Sequence, residues 1–161
     1  IKDNKNKPWY YQHLSSGFNY RMNDLSAALG LSQINRLKKF LSKRNEIASI
    51  YKRYLIDLPL KFQKIEKYNY SSYHLLVVQF DLSKTKHNYK QIFKRMREKN
   101  YYVNLHYMPL HLSSYFKKKG FKKGQFPVSE KYGQVSISIP IFFDLKKKDI
   151  FKFCRLVRSF F

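Results

Sequence analysis

Asn19 and Arg21, separated by one residue in Gly17-Phe18-Asn19-Tyr20-Arg21-Met22-Asn23-Asp24, are side chains suited to an anionic ligand. An amide offers donors to phosphate or carbonyl oxygens without adding charge. A guanidinium can grip a phosphate with two parallel hydrogen bonds, and it can equally hold a loop by bonding carbonyls. Before a helix, Asn also serves as a turn residue that bonds the local backbone. A second group is His106-Tyr107-Met108-Pro109, at the end of the alternating stretch Tyr102-Val103-Asn104-Leu105-His106-Tyr107. There Val103, Leu105 and Tyr107 share one face of an expected strand, and Asn104 and His106 the other. His111 lies five residues on, but without Cys or carboxylate partners at ligand spacing the pair is a weak metal signal, and no metal site is assigned. No phosphate-cradling glycine loop, nucleophile elbow or paired-cysteine zinc motif occurs.

Elements must hold these groups in place. Asn23 suits an N-cap and Asp24 the first turn of a helix. Leu25, Ala28/Leu29, Leu37, Phe40/Leu41, Ile47, Tyr51 and Tyr54/Leu55 recur mostly three or four residues apart, with one longer gap. The spacing predicts one helix over 23–58, roughly 50 Å long at 1.5 Å per residue, and such a length ties two bodies together or bends. Gly17 permits a sharp turn before it. Gly30 inside it costs about 1 kcal/mol relative to Ala, which a partner packed close to the backbone would offset. Residues 1–16, bearing Pro8-Trp9-Tyr10-Tyr11, read as an arm or hairpin.

Beyond Pro59 the pattern is that of a compact α/β domain over 59–161, reached through a connection at 61–69. Strands are expected near 73–80, 102–107 and 136–139 in one sheet; the first, nearly continuously apolar, suits a strand covered on both faces. Asn88 should cap a helix running to Lys99, with Ile92, Phe93 and Met96 as its buried stripe and Asn100 as a left-handed C-cap. Residues 110–125 read as a basic loop or short helix broken by Gly120 and Gly124. Pro127 opens a short helix. A final helix beginning at Asp144 or Leu145 carries Ile150, Phe151, Phe153/Cys154, Leu156/Val157 and Phe160 as its apolar stripe.

The chain has 161 residues, enough for one domain with a core, and its 43% hydrophobic and 18% aromatic content argues against disorder. No apolar run approaches the ~18 residues of a membrane span. The start, Ile1-Lys2-Asp3-Asn4-Lys5, has no methionine and no signal-peptide core, and reads like a cut into a longer protein. The single cysteine, Cys154, forms no internal disulfide and suggests a reducing, cytoplasmic setting. The net charge of +23 raises nucleic acid or an anionic surface as a partner. Its lysines are spread along the chain, however, and Ile, Asn, Tyr and Phe, encoded like Lys by A/T-rich codons, are abundant too. We therefore expect no specific nucleic-acid or membrane partner; a small basic binding module is the alternative class.

The stretch GFNYRMNDLSAALGLSQINRL, with Pro8-Trp9-Tyr10-Tyr11 and Asn104-Leu105-His106-Tyr107-Met108-Pro109, resembles the DegT/DnrJ/EryC1/StrS sugar aminotransferases. Within that family it is most similar to the branch making UDP-4-amino-4,6-dideoxy-N-acetyl-altrosamine for pseudaminic acid. The likeness runs over nearly the whole chain, but only to the family's C-terminal part. It implies the small domain of the PLP fold type I (aspartate aminotransferase-like) fold, a small sheet packed with helices, preceded by a bridging helix over 23–58. Residues 1–22 would then be the tail of the large domain and a dimer-interface arm. The resemblance implies pyridoxal phosphate as cofactor, a homodimer whose active site is shared across the interface, a UDP-4-keto-6-deoxy sugar as acceptor at C4, and glutamate as amino donor. Asn19 would cross the dimer interface to contact the other subunit's ligand, either cofactor phosphate or sugar substrate; Arg21 is the second candidate for the cofactor phosphate. His106, Tyr107, Met108 and Pro109 would line the sugar-nucleotide pocket; where this branch often has Lys before the proline, this chain has Met108. The Schiff-base lysine would lie in an N-terminal large domain, so no catalytic residue is assigned within this chain.

Overall fold

The computed structural model describes Trp9, Tyr10 and residues 14–161; most of the arm or hairpin expected over 1–16 lies outside them. The chain divides at Arg36/Leu37 into two units. In the first, a stretch without regular structure leads into α1 (Asp24–Ile34), where Asn23 Oδ1 accepts from the Ser26 amide at 2.8 Å, as an N-cap should. No residue of α1 is buried: Leu25, Leu29, Leu31 and Ile34 all stand exposed. Among the described residues none supplies the packing partner expected at Gly30, since nothing would lie within 4 Å of a Cβ built there.

The second unit opens with α2 (Leu37–Tyr54). The single helix expected over 23–58 is thus two helices. The Arg36 amide bonds the Gln33 carbonyl rather than the carbonyl four residues back, so the last turn of α1 tightens and the helix stops. No proline or glycine marks the break; it falls within the longer gap in the apolar spacing, between Leu29 and Leu37.

Three antiparallel strands follow in spatial order β1 (Leu60–Phe62), β2 (Leu76–Phe80), β3 (Ser136–Ile139). Leu60 pairs with Phe80 and Leu76 with Ile139. β1 lies within the stretch read as a connection; three residues are too few to show an alternation. The 73–80 strand begins only at Leu76, and its Leu76, Val78 and Phe80 are buried while Val77 and Gln79 are half-buried. The strand expected over 102–107 is reduced to one bridge, Asn104 with Ser138. Beyond it Asn104 Oδ1 accepts from the Leu105 amide at 2.9 Å, a local bond that ends the ladder.

Between β2 and β3 run α3 (Tyr89–Glu98), α4 (Ser114–Lys118) and α5 (Pro127–Val135); α6 (Lys147–Arg158) closes the chain. Asn88 and Gln91 cap α3 reciprocally, at 3.0 and 2.9 Å, and Asn100 terminates it with φ 62°. Pro127 stands in the first turn of α5, where its missing amide costs nothing. Gly120 and Gly124 adopt φ 96° and 95°, the left-handed region that glycine enters freely. α6 begins at Lys147, after a turn in which the Leu145 amide bonds the Phe142 carbonyl.

One apolar cluster binds these elements. Ile47, Ala48, Tyr51 and Leu55 face Ile150, Phe153, Cys154 and Val157 across the α2–α6 seam, and β2, β3, Ile92, Met96 and Val103 complete it. Phe153 is its hub, edge-on to Tyr51 at 5.8 Å and to Tyr101 at 4.9 Å. At the far end of α6, Arg158 makes two bonds to the Asp57 carboxylate, at 2.8 and 2.6 Å, and one to the Tyr54 carbonyl. Replacing Phe153 by Ala should cost about 3–5 kcal/mol in chemical denaturation, the range for a fully buried aromatic; a loss under 1 kcal/mol would show that the hub can be emptied without consequence.

Candidate functional site

β3 is buried on both faces. Ile137 and Ile139 enter the core, so Ser136 and Ser138 point to the opposite side. Ser138 Oγ lies 2.8 Å from His106 Nδ1, and its backbone exchanges bonds with Asn104, the Ser138 amide donating at 2.7 Å. The strand that carries the core therefore also orients the imidazole. The carbonyl of His106 accepts from the Tyr132 hydroxyl of α5 at 3.3 Å. Upstream, Arg97 holds the Val103 carbonyl through Nε and Nη2, at 3.3 and 2.9 Å.

Downstream the anchor is steric. Pro109 is buried against Gly133 of α5; a Cβ at position 133 would stand 2.6 Å from Pro109 Cδ and 3.0 Å from Cγ. Only glycine admits that approach. Between these anchors the His106–Tyr107 peptide is cis, Tyr107 is 73% exposed with its ring edge-on to His106 at 4.8 Å, and Met108 is exposed beside it. Four neighbouring expected site residues thus divide by role: Pro109 fixes the loop, His106 is held half-buried, and Tyr107 and Met108 are presented outward.

A pocket of about 530 Å³ opens beside His106, with Asn104, Ser138, His74 and Asp149 among its polar lining. No lysine lines it. His74 and Asp149 escaped sequence reasoning, His74 because it precedes an apolar run and Asp149 because it reads as an ordinary acidic first-turn residue. Ser138 had a usable signal: its alternation with isoleucine in 136–139 puts a hydroxyl on the face opposite the core.

His111, weighed above as a weak metal ligand, is structural. It is buried, and its Nε2 donates at 2.9 Å to Glu130 Oε1, which also accepts from the Gly124 amide at 2.6 Å. The hydrogen bond from His111 holds the Glu130 carboxyl below the ordinary glutamate range. Phe126 stands edge-on to His111 at 4.8 Å, so this pair ties the basic 110–126 segment to α5. Among the described residues no group of three or more His, Cys, Asp and Glu side chains is arranged to hold a metal ion.

Asn19 and Arg21 belong to the first unit, where both are exposed and neither makes a side-chain hydrogen bond among the described residues. The rings on either side of Asn19, Phe18 and Tyr20, stack at 5.1 Å. Their donors are open to a ligand, as an anion contact requires.

Gly133→Ala should displace Pro109 and with it His106–Met108, at about 1–3 kcal/mol for the overpacking. Amide shifts confined to 104–109 and α5 would be the signature; an unchanged spectrum would show the contact to be compliant. The Glu130 bond should stabilise the protein fully above the ordinary glutamate pKa and be lost as pH falls through the lowered folded value. Glu130→Gln should flatten that acid limb of a stability–pH profile; an unaltered limb would mean the carboxylate contributes nothing.

The family model described as the DegT/DnrJ/EryC1/StrS aminotransferase family matches residues 2–158. A GDP-perosamine synthase of Escherichia coli O157:H7 is 26% identical over 94% of this chain and 40% of its own length. A UDP-4-amino-4,6-dideoxy-N-acetyl-beta-L-altrosamine transaminase of Campylobacter jejuni is 29% identical over 90% of this chain and 38% of its own. The solved structure of Helicobacter pylori PseC, an aminotransferase of pseudaminic acid biosynthesis, superposes with a TM-score of 0.78 at 23% identity, over 94% of this chain and 41% of that one. The chain spans about 40% of the length of the curated relatives it matches. The fold is that of the C-terminal region of the PLP fold type I aminotransferases, and the family depends on pyridoxal phosphate. No helix among the described residues is long and apolar enough to cross a membrane. By its sequence match over residues 2–158, this chain belongs to the DegT/DnrJ/EryC1/StrS aminotransferase family.

Proposed function

We propose that this chain is the C-terminal portion of a sugar-nucleotide aminotransferase, one that passes an amino group from glutamate to C4 of a UDP-4-keto-6-deoxy sugar. The observation that carries the reading is the way His106 is held in the lining of a pocket, with Tyr107 and Met108 exposed next in the chain, by Ser138, Tyr132 and the Pro109–Gly133 contact. Binding residues held by packing and second bonds in this way are what ligand recognition needs. The acceptor assignment leans on the relatives' names, which pair this chain with enzymes of GDP- and UDP-linked amino sugars.

The cofactor fits the donors only in part. Asn19 and Arg21 offer neutral and cationic hydrogen-bond donors suited to its phosphate, whereas the pocket around His106 has no lysine to carry its carbonyl carbon. When bound, pyridoxal phosphate supplies the electron sink that lets an amino group leave a donor and enter a keto sugar. On this reading Asn19 and Arg21 hold the phosphate, Asn19 from the neighbouring subunit of a homodimer. His106 and Tyr107 orient the sugar nucleotide and exclude water from one wall of the site. The exposed apolar row Phe18, Tyr20, Met22, Leu25, Leu29 and Ile34 is then the surface that meets the large domain and the second subunit. On this reading the setting is reducing and cytoplasmic.

The test is Asn19→Ala in the longer protein containing this chain. Loss of one hydrogen bond to a charged group should cost about 1.5–3 kcal/mol in ligand binding with the fold intact. Pairing an Asn19→Ala subunit with one lacking the Schiff-base lysine decides the geometry. A contact in trans places both lesions in one site and leaves the other whole and active. An inactive mixture, with activity retained when both lesions share one chain opposite a wild-type subunit, would put Asn19 in cis. No amino transfer by the unaltered longer protein to any UDP- or GDP-linked 4-keto sugar would refute the reading itself.

A further inference from the structure

The pocket beside His106 has mostly apolar walls, and its few polar groups include one carboxylate and side chains that can donate hydrogen bonds. Tyr102 and Phe142 give it exposed aromatic rings. Asp149 supplies the acceptor; among the described residues its carboxylate pairs with Lys152, at 3.9 Å and at the surface. Two donors share the pocket. The Oδ1 of Asn104 is taken by the Leu105 amide, which leaves its NH2 to donate outward. The imidazole of His74 makes no hydrogen bond among the described residues.

The backbone that presents His74 is strained and heavily braced. Tyr73 adopts φ 44°, a left-handed conformation that a bulky residue rarely takes. Arg44 Nη1 donates to the carbonyls of Tyr73, His74 and Ile141, at 2.9, 3.2 and 3.2 Å. Lys52 reaches the Tyr73 hydroxyl at 2.9 Å, Ser71 Oγ accepts from the Tyr73 amide, and Asn45 holds the Ser71 carbonyl. Strain that the surroundings over-determine collects at ligand sites. The same guanidinium thus fixes two walls of the pocket, at 73–74 and at 141.

An acceptor and donors in one pocket that also carries aromatic rings suit one chemical edge: a ring N–H flanked by a carbonyl. Uracil presents it at N3–H with O4, and guanine at N1–H with O6; cytosine and adenine have no ring N–H there. We infer that this pocket takes the nucleobase of a uridine or guanosine nucleotide, with Asp149 accepting the ring N–H, Asn104 or His74 donating to the adjacent carbonyl, and Tyr102 and Phe142 stacking on the ring. This rests on the sugar-nucleotide reading and names the part of the substrate that the pocket recognises.

The test is a titration of the chain, followed by amide and imidazole shifts, with UMP, GMP, CMP, AMP, ribose 5-phosphate and UDP-N-acetylglucosamine. UMP and GMP should bind about fivefold or more tighter than CMP and AMP, with shifts at Asp149, Tyr102 and His74. Asp149→Ala should erase that preference, and Asp149→Asn, which keeps an oxygen acceptor, should retain part of it. Tyr102→Ala should weaken every nucleotide about fivefold or more while leaving ribose 5-phosphate unmoved. Equal affinity for all five small probes, or a preference that survives Asp149→Ala, overturns the base pocket. If UDP-N-acetylglucosamine binds without shifts in the pocket, the base pocket fails and the sugar-nucleotide reading stands. If UMP fills the pocket but UDP-N-acetylglucosamine is refused, that reading fails and the pocket stands. Absence of binding by every probe overturns both.

Discussion

A strand buried on both faces must place every polar group it carries, and Ser136–Ile139 is such a strand. An unpaired buried hydroxyl or amide costs about 1–3 kcal/mol, so its neighbours are chosen as much by hydrogen bonding as by packing. Ser138 meets this demand with His106 and Asn104, and the Ser136 carbonyl with the Tyr89 hydroxyl at 2.9 Å. Of this strand's two side-chain hydroxyls, that of Ser136 finds no partner among the described residues. What satisfies the strand is therefore the same set of contacts that orients the candidate site. Core and site are two faces of one requirement.

That requirement explains why a small sheet suffices. β3 anchors the loop at 104–109, α5 anchors it again through Tyr132 and Gly133, and the α2–α6 seam supports both from behind. The braces differ in kind. Near His106 they are hydrogen bonds, at Pro109 a close packing contact, and at 71–74 a guanidinium shared among three carbonyls. A charge-assisted donor with several acceptors resists displacement more than one neutral bond does. The pocket wall at 73–74 is accordingly the part of the site where a strained backbone persists.

Local signals were legible wherever the chain carries its own instruction. Asn23, Asn88, Asn100 and Pro127 each name a cap or a first turn, and the stripes of α3 and α6 follow from spacing alone. The motifs at 17–24 and 104–109 led to the family. What stayed illegible depends on partners distant in sequence. The break at Asn35–Arg36 has no breaker residue, β1 is too short to alternate, and Asn104 turns its side-chain oxygen onto the next amide and ends a strand that its neighbours would have continued. Of the pocket, only His106 and its neighbours were readable. His74 acquires meaning from Arg44, thirty positions earlier, and Asp149 from elements that meet only in the folded chain.

The sole cysteine gives the fold an internal clock. Cys154 is buried in the α2–α6 seam, and desolvation pushes its thiol up to about 11. Since the thiolate is the nucleophile, an alkylating reagent near neutral pH finds almost none of it while α6 stays in place. The rate at which the sulfur is modified then reports how often this helix leaves the core. A molecule with one such atom needs no added label to have its opening measured.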